Sequence, residues 1–128
     1  MNKYRRSLLG DIIRDCNHLI QSLTAVSERS EKVHDELIEK LERINADIYG
    51  VQGDEQYAYD SLPEGFQNCD RGYSMEDAIS YMDDAQSIID DALEIIRESK
   101  EAGSAFNKET MIKTLESVAS YLDDARSC

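Results

Sequence analysis

Between Met75 and Glu98 the chain repeats every seven residues, and no other feature limits its fold as tightly. Met75, Met82, Ile89 and Ile96 recur at this interval, as do the acidic pairs Glu76-Asp77, Asp83-Asp84 and Asp90-Asp91, with Glu98 at the next step. Seven residues make about two helical turns, so an apolar stripe and an acidic stripe run along one α-helix. No segment alternates with a period of two, so no sheet is expected. The expected fold class is all-α, a coiled-coil-like or bundle-like arrangement in a single domain over 1–128.

The first 59 residues are harder to place. From residue 11 to residue 49 there is neither glycine nor proline. Leu9, Cys16, Leu23, Leu37, Ile44 and Val51 fall on the d positions of one heptad frame, and Ile13, Ile20, Leu41 and Ile48 on its a positions. Three successive core positions, Ser27, Ser30 and His34, are polar. Glu28, Arg29, Glu31 and Lys32 are good helix formers, which favours one long helix over 1–59; a kink or a hairpin at Ser27–Ser30 is the alternative. Pro63, Gly65, Asn68, Asp70 and Gly72 make 60–74 the long break. Leu62, Pro63 and Phe66 are expected to dock that loop on the helices. Ser74 reads as the N-cap of a helix over 74–101 that ends before Gly103, with Arg97 and Lys100 near its C-terminus. Asn107 reads as the cap of a helix over 107–126. The first helix can fray anywhere from Tyr49 to Asp60; at ~1.5 Å per residue, unbroken as far as Tyr49, it is about 70 Å long and the next about 40 Å. That mismatch predicts a homodimer through Leu9, Ile13, Leu37, Leu41, Ile44 and Ile48, unless the first segment folds back into a four-helix bundle.

The net charge of -13 is unevenly spread. Residues 1–50 hold eight basic and nine acidic residues, residues 51–128 six and eighteen. Binding a nucleic-acid duplex needs clustered Lys and Arg, so direct nucleic-acid binding is not expected; the field favours a protein partner with a basic surface. Cys16, Cys69 and Cys128 form no CxxC and no disulfide framework, consistent with a reducing cytoplasm. Lys3, Arg5 and Arg6 resemble the start of a signal peptide, but Gly10, Asp11 and Arg14 break the apolar run, so neither export nor membrane insertion is expected.

Little in the chain points to catalysis. Glu31-Lys32-Val33-His34 matches the Glu-x-x-His element of di-iron bundles, and Asp15-Cys16-Asn17-His18 is its aspartate counterpart. His34 lies on the core stripe and His18 on the outer face, so the two do not share an interior site, and no metal or cofactor is expected. There is no phosphate-binding glycine loop and no nucleophile elbow, and no enzyme activity is expected.

The acidic stripe of Glu76, Asp77, Asp83, Asp84, Asp90 and Asp91 is the candidate partner-binding site. Its pairs stand about 10.5 Å apart, a spacing that could imitate a phosphate backbone. The run Tyr59-Asp60-Ser61-Leu62-Pro63-Glu64-Gly65-Phe66-Gln67, followed by Arg71-Gly72-Tyr73-Ser74-Met75-Glu76-Asp77-Ala78-Ile79, resembles a pattern in small uncharacterised bacteriophage and prophage proteins. There an NLPE-x-x-Q element precedes RG-x-x-ME-x-AI and an acidic helix. The likeness covers roughly residues 55–96; Asp60-Ser61 stands in place of the usual Asp-Asn, and Tyr73-Ser74 in place of more charged residues. That family has no assigned activity and lends no functional residue; the resemblance implies a phage-linked accessory protein in the host cytoplasm, and with it a non-catalytic helical interaction module that binds or inhibits a host protein. An acidic nucleic-acid mimic that blocks the groove of a host defence nuclease is the alternative.

Overall fold

Each apolar stripe becomes the inner edge of its own helix. The computed structural model describes residues 1–25 and 31–128. Helix α1 spans Lys3–Thr24, α2 Glu31–Asp60, α3 Asp70–Ala102 and α4 Lys108–Ser127, with a short 3-10 turn at Phe66–Asn68 and no strand among the described residues. The helices form a ring in which α1 packs on α2 and α4, and α3 packs on the same two. Neighbours run antiparallel. Arg6 at the start of α1 donates to the Cys128 carbonyl at the end of α4 (2.8 Å), and Lys100 near the end of α3 pairs with Asp35 near the start of α2. The fold is an all-α up-down-up-down bundle.

The expected single helix over 1–59 is therefore two helices, and the fold-back alternative is the one observed. The reason lies in the length of the stripes. Helix α1 buries Leu9, Ile12, Cys16, Leu19 and Leu23; α2 buries His34, Leu37, Leu41, Ile44, Ile48, Val51 and Glu55. The column Leu9–Cys16–Leu23 continues in phase as Leu37–Ile44–Val51, but its companion follows three residues later in α1 and four later in α2. On one straight helix the two stripes would still overlap, about 30° apart at ~100° per residue, but a helix over 3–60 would be about 87 Å long at ~1.5 Å per residue and would overhang α3, about 50 Å long, leaving much of both stripes uncovered. Ile13 and Ile20, assigned to the core by the single heptad frame, are half-buried. Ser27 and Ser30 lie outside the described residues. Leu9, Leu37, Leu41, Ile44 and Ile48 fill the chain's own core, so their burial does not require a second copy.

Helix α3 buries Met75, Met82, Ile89 and Ile96 as the heptad predicts, with a second column of small residues at Ala78, Ala85 and Ala92. Helix α4 contributes Met111, Leu115, Val118, Leu122 and Ala125. Asn107 caps α4 by accepting from the Thr110 amide at 3.0 Å. Gly103 ends α3 with φ 66°, its amide returning to the Lys100 carbonyl, a left-handed close that glycine adopts without strain. Phe106, in the connection that follows, reaches the core and meets His34 edge-on, ring centroids 5.1 Å apart.

The loop before α3 is shorter than expected. Helix α2 continues through Gly50 and Gly53 to Asp60, and α3 starts at Asp70, one turn ahead of Ser74. Gly72 is helical and serves a close approach: a Cβ there would lie 2.2 Å from the Gln67 carbonyl oxygen. Gln67 also donates to the Tyr59 carbonyl at 3.1 Å, so the loop is anchored through Gln67. Phe66, expected to dock, is 54% exposed.

These two kinds of glycine give opposite predictions. A Cβ at Gly53 meets nothing within 4 Å, so Gly53→Ala should stabilise the protein by about 0.5–1 kcal/mol through helix propensity. Gly72→Ala should cost ~1–3 kcal/mol, because the new methyl displaces backbone. Urea unfolding followed by circular dichroism reads both.

Candidate functional site

Folding converts the lengthwise charge asymmetry into a sidewise one. Helices α2 and α3 carry nine and ten acidic residues against three basic residues each, whereas α1 and α4 together carry six acidic and seven basic. Since α2 and α3 are neighbours, nearly all the excess charge lies on one side of the bundle. Along α3 the acidic pairs straddle the line facing away from the core, about 50° to either side at ~100° per residue. Glu76, Asp77, Asp83, Asp84, Asp90 and Asp91 are all exposed.

The six are not equivalent. The first member of each pair leans toward α2, and two of these are used as struts. Glu76 accepts from the Tyr59 hydroxyl, a bond that raises the Tyr59 pKa, and Asp90 accepts from Asn45 Nδ2 at 2.9 Å. The step after them, Arg97, pairs with Glu42. Asp77, Asp83, Asp84 and Asp91 make no hydrogen bond or ion pair with a described residue. Between α2 and α3 an open groove of about 480 Å³ is bordered by Tyr49, Asn45, Gln86 and Asp90. Tyr49 on α2 and Tyr73 on α3 are exposed large side chains beside this charge.

His34 is buried on α2 and His18 exposed on α1, and no group of three or more His, Cys, Asp or Glu side chains converges among the described residues. Burial pushes the Cys16 thiol up to about 12, which keeps it protonated and unreactive at neutral pH. No helix among the described residues is long and apolar enough to cross a membrane.

Glu55 is the residue that sequence reading missed. It is a fully buried carboxylate at the end of the bundle, 3.3 Å from Arg5 Nε and 3.8 Å from the N-terminal ammonium. A pocket of about 290 Å³ opens beside it, with Arg6 and Arg71 on its wall. The signal was present: His34, Leu41, Ile48 and Glu55 are spaced by seven, so Glu55 continues the core column of α2.

Comparison with known protein families, with curated proteins and with solved structures finds no match to this chain.

The ion pair at Glu55 is testable by a double-mutant cycle. Arg5→Met should cost about 2–3 kcal/mol, since it takes the guanidinium from a buried carboxylate while the N-terminal ammonium remains. Adding Glu55→Leu should recover most of that loss. Additive losses in urea unfolding would show that the two residues are not coupled.

Proposed function

We propose that this chain is a non-catalytic helical interaction module whose α2–α3 side docks a basic surface of a partner protein. The observation that carries the reading is the one-sided charge, with Asp77, Asp83, Asp84 and Asp91 held on a rigid helix and left unpaired. Such a field steers a basic partner toward one side of the bundle and speeds encounter. Tyr49 and Tyr73 add contact area on which arginine side chains can stack. A single four-helix chain suffices as the binding unit. The resemblance of residues 59–79 to small phage proteins supports a host protein as the partner and inhibition as the outcome.

A narrower form of the reading is a nucleic-acid mimic that fills the groove of a defence nuclease. The regular spacing of the three acid pairs, about 10.5 Å along the helix, favours it. It predicts that duplex DNA or RNA competes for the same partner.

The test uses a quadruple variant, Asp83→Asn, Asp84→Asn, Asp90→Asn and Asp91→Asn, as bait in host lysate beside the parent chain. Folding should survive: all four are exposed, and relief of the repulsion of Asp90 and Asp91 with Glu94 offsets the weaker bond that Asp90→Asn would accept from Asn45. The partner retained by the parent should bind the variant about tenfold more weakly, and parental binding should fall with salt. Equal retention at low salt contradicts the reading and leaves this side as a solvated surface.

A further inference from the structure

The seam between α1 and α2 is built differently from the other three. The α2–α3 seam is laced by Asn45 to Asp90 and by Gln86 to Gln52, and Tyr81 meets Tyr121 across the α3–α4 seam. Between α1 and α2 the helices pack least closely, and the ion pairs reaching Glu55 lie at one end. Along the rest runs a groove. One stretch, of about 490 Å³, has a floor of Leu8, Ile12, Ala46, Gly50 and Val51. A second, of about 560 Å³, continues it toward Ser22 and Lys40 over Leu19 and Ile44. Asp15 and Asp47 line both stretches, so the groove is continuous.

Two features keep it open. Ala46 and Gly50 put almost no side chain over the seam, and carboxylates on the two helices border the first stretch together: Asp11 and Asp15 from α1, Asp47 and Asp54 from α2. Asp11 pairs with Arg14 on its own helix; Asp15, Asp47 and Asp54 have no hydrogen bond or ion pair with a described residue. At the far end the border changes sign, with Lys40 and Arg43 likewise unpaired. No three of these carboxylates converge as they must to hold a metal ion. A row of cationic side chains along the groove matches their spacing better than a single ion does.

We infer that the α1–α2 groove is the docking site for an amphipathic helix of a partner protein, basic over the half beside Asp15, Asp47 and Asp54 and acidic over the half beside Lys40 and Arg43. From Leu8 to Ser22 the groove follows about four turns of α1, near 21 Å at ~1.5 Å per residue, which sets the length of the occupant. The apolar edge of that helix lies on half-buried Leu8 and over Ala46, with Ile12 and Val51 already in the core beneath, and Gly50 lets its backbone come close. Its lysines or arginines relieve the repulsion between facing carboxylates. The change of sign along the groove fixes its direction. This inference does not depend on the α3 acidic stripe.

The probe is a synthetic helical peptide of about 16 residues with a leucine edge, lysines in one half and glutamates in the other. Two controls carry serine along the edge or the charges in reversed order. Calorimetry should show the matched peptide binding and both controls binding about tenfold more weakly or less. Gly50→Leu, which fills the groove at an open helical site and leaves the circular dichroism unchanged, should weaken matched binding by at least about tenfold. The four-Asn variant of α3 should bind as the parent does. Equal binding of matched and reversed peptides overturns the inference, and so does binding indifferent to Gly50→Leu. A parent dimer in sedimentation that Gly50→Leu makes monomeric overturns it as well, by assigning the groove to a second copy.

Discussion

The reversal of direction from α1 to α2 is the constraint on which the rest of this structure depends. Leu9, Cys16 and Leu23 form one helical column, but Ile12 and Leu19 stand on one side of it while Leu41, Ile48 and Glu55 stand on the other side of its continuation. An unbroken helix over 3–60, about 87 Å long at ~1.5 Å per residue, could not bury both columns against the shorter α3 and α4, whereas two antiparallel helices bury both in one core. Once α2 returns along α1, four stripes face one core, and Leu9, Cys16, Leu23, Leu37, Leu41, Ile44 and Ile48 are buried within the chain. The same reversal sets α2 beside α3, which gathers the acidic excess, and brings Arg5 to Glu55.

How much of this was legible follows from the residues. The α3 stripe was clear because Met75, Met82 and Ile89 are each followed at once by an acidic pair, which fixes the phase against the rival column Tyr81, Ile88 and Ile95. In α1 the phase was ambiguous: Ile12 is followed by Ile13 and Leu19 by Ile20, so two frames fit equally well and the wrong one extends smoothly into α2. Glycine misled in both directions. Gly50 and Gly53 weakened an ordinary helix on paper, and Gly72 looked like a turn when it was a contact point for the Gln67 backbone. The acidic stripe was placed on the exposed side as expected, but its division into struts to α2 and unpaired carboxylates required the neighbouring helix. The α1–α2 groove was invisible because Asp11, Asp15, Asp47 and Asp54 come together only after the fold-back.

The charge arrangement has a cost and a use. Nine and ten acidic residues on adjacent helices repel, and the pairs Arg97–Glu42 and Lys100–Asp35 offset only part of this. The well-filled core formed by all four helices tolerates the remainder, so stability and surface charge are carried by different residues. A basic ligand seated on either acidic surface relieves that repulsion, and binding and stabilisation are thereby linked.

The fold-back is tested most directly by a distance between Asp11 and Asp54, which border the same groove although 43 residues separate them in sequence. Both are replaced by spin-labelled cysteines in a chain whose Cys69 and Cys128 are serine, and the spacing is read by pulsed electron resonance. Antiparallel neighbours with axes ~8–10 Å apart place the labels about 20 Å from each other once their linkers are added. A continuous helix over the same residues separates them by about 65 Å at ~1.5 Å per residue, and a distribution centred there would contradict the bundle.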